Sequence, residues 1–189
     1  PALSSAASDV YKRQIENLGS DFLFPEIKYK FHACCHGLHS FLEALDEMKL
    51  ENNFNPETIE EIAIETNPSW LKVCNIEKPK TGLESKFSYK LTAAMSIYGK
   101  DTSNLDTYSD EICFDDNLNN IRDKVRVIPN DNLSNTQSLI SIKDGSSNVK
   151  NKHDLSDKIE NNILETKIVN KSVSLLSLIH ISEPTRPSS

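Results

Sequence analysis

The spacing of the apolar residues changes from a helical to a strand period early in the chain, and this change restricts the possible folds. In residues 37–50 the apolar side chains recur every three or four positions, as Leu38, Phe41, Leu42, Leu45 and Met48. This spacing is typical of an amphipathic helix. The segment "TIEEIAIET", residues 58–66, alternates around two isoleucines and predicts a strand. A chain with both patterns is expected to mix helices and strands.

The same mixture continues downstream. Helices are predicted over residues 85–99, 115–124 and 155–169, and strands over residues 125–129 and 136–150. The last of these contains Asp144–Gly145, a pair typical of a tight hairpin turn, so it is predicted to form two strands. Gly99 is the expected stop of the second helix. We therefore predict an α+β fold with helices packed on an antiparallel sheet.

The two ends of the sequence carry segments that look foreign to a natural protein. "DVYKRQ", residues 9–14, and "LSLIHI", residues 176–181, can be translated from opposite strands of one DNA string. That string resembles the transposase end used to prepare sequencing libraries. We therefore expect residues 1–14 and 176–189 to be translated adapter, and residues 15–175 to be a fragment of a longer protein.

Charge and hydropathy exclude two classes of partner. The formal net charge is −7, whereas a nucleic-acid-binding surface needs clustered basic residues. No apolar run approaches the roughly 20 residues that cross a membrane. We expect neither nucleic acid nor membrane as a partner.

Nine residues, "HACCHGLHS", concentrate three histidines and two cysteines at positions 32–40. A zinc-binding interaction domain is one hypothesis for them, but zinc sites pair two ligand knuckles and a second one is missing here. We expect no metal. The four cysteines contain no CxxC pair, which favours free thiols in a reducing compartment, and hence a cytoplasmic protein.

Two longer segments resemble the MmgE/PrpD family. "KFHACCHGLHSFLEAL", residues 30–45, is similar to a motif with a lysine, an aromatic residue and a cysteine ahead of a histidine. "KPKTGLESKFSYKLTAAMSIYG", residues 78–99, is similar to a second signature, a Pro-x-Thr loop that leads into a Lys-Phe-Ser helix. Both occur in the family's order, and the resemblance extends over most of residues 28–175.

The resemblance implies a cofactor-independent lyase or isomerase that acts on small polycarboxylates. Family members dehydrate 2-methylcitrate, decarboxylate cis-aconitate or epimerise iminodisuccinate. They pair a large helical N-terminal domain with a smaller α+β C-terminal domain, the lid, and are usually homodimers. Residues 28–175 match only the lid, and residues 15–27 would be the crossover from the helical domain. The fragment alone is then expected to be inactive.

His39 is the predicted catalytic residue. The three reactions share the movement of a proton next to a carboxylate, which needs a base such as imidazole. His39 falls where the family's motif has its histidine, in the first turn of the predicted helix, where the helix dipole would keep the ring neutral. The other interpretation is a histidine that only caps or packs against the helix.

Cationic and polar groups must hold the carboxylates and stabilise enolate-like charge. The residues predicted to bind substrate are Lys30, His32, Lys86 and Ser88. Each also has an ordinary structural alternative, a solvated lysine or a packing residue.

One position departs from the family pattern. Many members have a tyrosine three residues after the signature serine, but here that position is Leu91, and Tyr89 lies two residues earlier. We therefore assign the role of the family's tyrosine to no residue of this chain. Separately from this departure, a non-catalytic ligand-binding or dimerisation module with the same fold is an alternative to the enzyme.

Overall fold

The computed structural model describes residues 18–20, 28–145 and 147–179. The predicted adapter segments fall outside these ranges except for residues 176–179, and most of the predicted crossover, residues 15–27, falls outside them too. The described helices are α1 His39–Glu51, α2 Pro68–Leu71, α3 Gly82–Ser85, α4 Tyr89–Ile97, α5 Asp116–Asp123 and α6 Asn161–Ile179. The strands are β1 Ile59–Thr66, β2 Val125–Pro129, β3 Gln137–Asp144 and β4 Ser147–Asp154. The predicted α+β class is confirmed.

The sheet has the order β2-β1-β3-β4 and is mixed, which corrects the predicted antiparallel sheet. β1 runs antiparallel to β3, and β3 antiparallel to β4, but β1 and β2 run parallel. The reason is the long connection between β1 and β2, which contains α2 to α5 and returns the chain to the end where β1 began. A short hairpin turn could not make this connection.

The core lies between the sheet and the apolar face of α1. Ile62 and Ile64 of β1 are fully buried opposite Ile142 and Ile140 of β3. Every apolar position predicted for the first helix is buried, from Leu38 in the preceding 3-10 turn His36–Leu38 to Met48. The helical spacing of the sequence therefore correctly identifies the face that packs on the sheet.

α4 begins later than predicted, because the chain turns before the helix starts. The carbonyl groups of Lys86 and Phe87 accept hydrogen bonds from the backbone of Cys35 (2.9 Å) and Ile76 (3.0 Å), instead of from the helix. Ser88 then caps α4, since its hydroxyl accepts from Leu91 N at 3.2 Å. The predicted stop is confirmed, with Gly99 at φ +67°.

The last helix begins at Asn161, later than the predicted start at Leu155. Leu155 N donates to Thr136 O at 2.9 Å, and Asp154 accepts from Ser156, so the chain bends here before a helix can form. The predicted hairpin is confirmed, with Gly145 at φ +58° in the turn between β3 and β4.

Candidate functional site

The segment ahead of α1 is fixed from both sides by backbone hydrogen bonds. Ala33 N donates to Thr102 O at 2.8 Å, and Cys35 N donates to Lys86 O at 2.9 Å. Tyr89 adds a third contact, because its buried hydroxyl donates to Gly37 O at 2.7 Å. These bonds hold the histidine-rich segment against the loops that precede α4 and follow Gly99.

His39 is buried and neutral. Its Nδ1 lies 3.1 Å from Cys35 O, and since a carbonyl only accepts, Nδ1 carries the proton. Burial, together with the nearby His32, lowers the pKa of His39 to about 3. Nε2 is then an acceptor, and it has no hydrogen-bond partner among the described residues. The ring is neutral as expected, but burial and not the helix dipole is the main cause.

His32 connects His39 to a buried carboxylate. The His32 and His39 rings meet edge to face, with centroids 5.2 Å apart. His32 Nδ1 lies 2.7 Å from Thr102 Oγ1, and its Nε2 lies 3.3 Å from Glu43 Oε1. The second oxygen of Glu43 accepts from Lys167 of α6. Burial alone would raise the pKa of Glu43, but His32 and Lys167 outweigh it and hold that pKa at about 2.

Two cavities are lined by residues of this chain of contacts. The first, which we call the histidine cavity, has a volume of about 230 Å³. Three histidines, His36, His39 and His153, line it together with both acidic and basic side chains, and Phe31, Leu155, Ile159 and Leu164 contribute apolar wall. The charged lining residues are Lys28, Glu43, Asp157 and Lys158. Lys167 Nζ lies 5.0 Å from the centre of the Phe31 ring, close to this cavity.

The second, which we call the lysine cavity, has a volume of about 390 Å³. Lys30, Lys86, Lys171 and His32 line it together with Cys34 and Cys35, and Leu83, Phe87, Leu105 and Leu175 form apolar wall. Among the described residues that line it, none is Asp or Glu. Burial lowers the pKa of Lys171, whose ammonium group donates to Ser103 O at 2.6 Å. Such a cavity favours an anion with several negative charges.

The predicted site residues divide between the two cavities. Lys30, His32 and Lys86 meet in the lysine cavity, whereas His39 lines the histidine cavity and its ring contacts the ring of His32. Ser88 lies apart from both: it is fully buried, and its hydroxyl caps α4. Its role in binding substrate stays a prediction.

Sequence reasoning did not select Glu43, Lys167 or Lys171 as site residues. The two lysines come from α6, far along the chain from the motif, and no local pattern connects them to it. Only their spacing of four positions, which places both lysines on one side of a helix, could have indicated from the sequence that they act together. Tyr89 is structural, since it lies in the core and bonds Gly37 and Thr66.

No group of three His, Cys, Asp or Glu side chains in the described ranges is arranged to hold a metal ion. None of the described helices is both long and apolar enough to span a bilayer.

Comparison with protein-family models gives a match over most of the chain. The family model described as the MmgE/PrpD C-terminal domain matches residues 32–183, most of the chain. Comparison with curated proteins gives no significant match. The matched range includes the histidine-rich motif from His32 onward and the whole Lys-Phe-Ser segment, whereas Lys30 of the lysine cavity lies just before it. The chain therefore belongs to the MmgE/PrpD family and represents its C-terminal domain.

Proposed function

We propose that this chain is the lid domain of a cofactor-independent lyase or isomerase that moves a proton next to a carboxylate of a small polycarboxylate. The observation that carries the proposal is the lysine cavity. Lys30, Lys86 and Lys171 come from three separate parts of the chain, yet they line one cavity with His32 and without a described acidic residue. Like charges gather at one site only at an electrostatic cost, which a bound polyanion would offset.

In this proposal the lysines hold the substrate's carboxylates and stabilise the enolate-like charge that develops when a proton leaves. His32 adds a hydrogen-bonding group to the same cavity, and its contact with Glu43 orients its ring. The cavity volume of about 390 Å³ is in the usual range for small-molecule sites.

His39 is the proposed acid/base or substrate-orienting residue. Its Nδ1–H is fixed on Cys35 O, so Nε2 presents a lone pair that is able to accept a proton. A pKa near 3 makes His39 a weak base. A bound polycarboxylate would place negative charge near the ring and raise that pKa toward the working range.

A helical domain from the same protein supplies the remaining catalytic groups in this proposal. The lid alone would then bind substrate without turning it over, and the complete protein would be a cytoplasmic homodimer. The closed active site would form where the helical domain covers the lid.

Titration of the purified chain with citrate tests the binding step. We expect Lys30→Met or Lys86→Met to weaken citrate binding roughly 10-fold or more, because a charged hydrogen bond contributes about 1.5–3 kcal/mol. Lys72→Met is the matched control, since Lys72 is exposed and lines neither cavity. Acetate should bind much more weakly than citrate. Equal citrate affinity in all three variants would contradict the proposed site.

Proton exchange tests the chemistry. In D₂O, the protein that also contains the helical domain should catalyse the exchange of a carbon-bound proton of a polycarboxylate for deuterium. NMR measures the rate of this exchange, and His39→Asn should slow it. The 189-residue chain alone should not catalyse it. Citrate binding without any exchange in the longer protein would favour the non-catalytic ligand-binding module.

A further inference from the structure

The three lysines of the lysine cavity differ in how well their surroundings accommodate a positive charge. Lys30 is exposed, so water solvates its ammonium group. Lys86 is half-buried, but its Nζ lies 5.6 Å from the centre of the Tyr108 ring, a contact that favours a cation. Lys171 is half-buried on α6, and none of the described residues that line the cavity with it is acidic. The charge of Lys171 is therefore the least favoured of the three.

The groups around Lys171 favour a neutral amine. Burial is the main cause of its lowered pKa, and the ammonium groups of Lys30 and Lys86 add to this effect, whereas Asp101 and Cys34 oppose it. A larger share of this amine is therefore neutral than in a solvated lysine. A lysine that burial and neighbouring cations make neutral is a nucleophile toward carbonyl groups.

The amine of Lys171 is also held in place. Its Nζ donates to Ser103 O at 2.6 Å. This hydrogen bond uses one N–H and does not require a charge on the nitrogen, so the neutral amine keeps it and retains its lone pair. Because Lys171 lines the lysine cavity, a small molecule that enters the cavity can reach its side chain.

From this arrangement we propose that Lys171 is a reactive amine, which forms a Schiff base with a small 2-oxo acid that enters the lysine cavity. The carboxylate of such a molecule would bind the ammonium groups of Lys30 and Lys86, which brings its carbonyl carbon into the same cavity as the amine. The inference rests on the anion-binding part of the proposed function and adds a covalent step that proton transfer next to a carboxylate does not use.

The reaction needs no co-reactant. The neutral amine of Lys171 attacks the carbonyl carbon, the π bond of the carbonyl group breaks, and proton transfer from nitrogen to oxygen gives a carbinolamine. The C–O bond then breaks, the hydroxyl group takes up a proton and leaves as water, and a C=N bond forms as the nitrogen releases its last proton. Overall, the amine loses two hydrogens and the 2-oxo acid loses its carbonyl oxygen, as one molecule of water.

Reductive trapping with glyoxylate tests the proposal. The purified 189-residue chain is incubated with glyoxylate and sodium cyanoborohydride, which reduces the Schiff base to a stable secondary amine, and peptide mapping locates the added carboxymethyl group. We expect Lys171 to be modified roughly 10-fold faster than the exposed Lys72, because charged hydrogen bonds hold the carboxylate in the cavity. This ratio should fall with acetaldehyde, which has no carboxylate.

Lys171→Arg separates the amine from the charge, since a guanidinium group stays positive but does not form the Schiff base. The fast phase of glyoxylate labelling should disappear in this variant and persist in the matched control Lys72→Arg. Circular dichroism spectra establish that both variants fold, and mapping of the unsubstituted chain needs no variant. Labelling of Lys171 no faster than that of Lys72, or a fast phase that persists in Lys171→Arg, would overturn the proposal.

Citrate distinguishes this inference from the proposed function, because citrate has no aldehyde or ketone group and should only protect Lys171 from labelling. If citrate binds but Lys171 is not labelled preferentially, the Schiff base is wrong and the polycarboxylate site stands. If Lys171 is labelled fast and citrate gives no protection, the reactive amine is supported and the polycarboxylate site is contradicted.

Discussion

His32 and His39 touch each other, yet the structure gives them different chemistry. His32 contacts a carboxylate and a hydroxyl, whereas the Nδ1–H of His39 donates to a backbone carbonyl and its Nε2 has no hydrogen-bond partner among the described residues. The motif histidine selected from the sequence is therefore a neutral acceptor, and its neighbour is the one placed against charge. Residue type and spacing alone could not distinguish these two roles, because Thr102 and Lys167 come from distant parts of the chain.

The buried His39 predicts a loss of stability at mildly acidic pH. Its pKa is about 3 in the folded chain and ordinarily 6.5, so the unfolded chain binds a proton first as the pH falls. Stability from the neutral ring is complete above pH 6.5 and decreases toward pH 3. Between pH 6.5 and 5 we expect the free energy of unfolding to fall by about 2 kcal/mol. Urea unfolding across this range measures the loss.

His39→Asn should remove most of this pH dependence, since an amide can keep the bond to Cys35 O without titrating. His36→Asn is the control. Burial also lowers the pKa of His36, but this ring is only partly buried, so its variant should change the slope less. An unchanged slope in His39→Asn would mean that other groups cause the acid sensitivity.

At the scale of helices and strands, local sequence patterns predicted which elements form, whereas contacts between distant residues determine where some of them begin and in which direction they run. The apolar spacing of α1, the Asp-Gly turn and the Gly99 stop could all be recognised because each depends on neighbouring residues. The direction of β2 could not, because strand direction depends on a connection that extends from residue 67 to residue 124. The late starts of α4 and α6 also depend on distant partners, Cys35 and Thr136.

Ser88 offers a test of structural against functional importance. Ser88→Ala removes the N-cap of α4, and we expect it to lower the free energy of unfolding by about 1 kcal/mol. Citrate affinity should stay unchanged, because the buried hydroxyl reaches neither cavity. Asp115→Ala is the matched control, since Asp115 caps α5 through Asn117 N and Leu118 N. A loss of affinity specific to Ser88→Ala would restore it as a substrate-binding residue.

At the scale of the whole molecule, α6 both completes the site and presents an apolar surface. Lys171 lines the lysine cavity from this helix and Lys167 binds Glu43 of the histidine cavity, while Val169 and Val173 are more than half exposed. The spacing of four positions between these two valines makes an apolar stripe on one side of the helix. An apolar stripe of this kind is typical of a surface that is covered in a larger protein.

We therefore expect the chain to self-associate at high concentration, measured by light scattering coupled to size-exclusion chromatography. The double variant Val169→Glu and Val173→Glu should reduce this association. Leu50→Glu is the control, because Leu50 is the most exposed of the large apolar residues described but lies elsewhere, near the end of α1. If Leu50→Glu has the same effect, general surface charge and not the stripe controls association.

The contact between Glu43 and Lys167 joins residues 124 positions apart. A ribosome that adds roughly 5–20 residues per second needs about 6–25 s to make that stretch. During this interval Glu43 lacks its ammonium partner, and the lysine cavity lacks the wall that Lys171 and Leu175 provide. Both cavities are thus assembled last, so a nascent chain cannot hold an anion there until its final helix has docked.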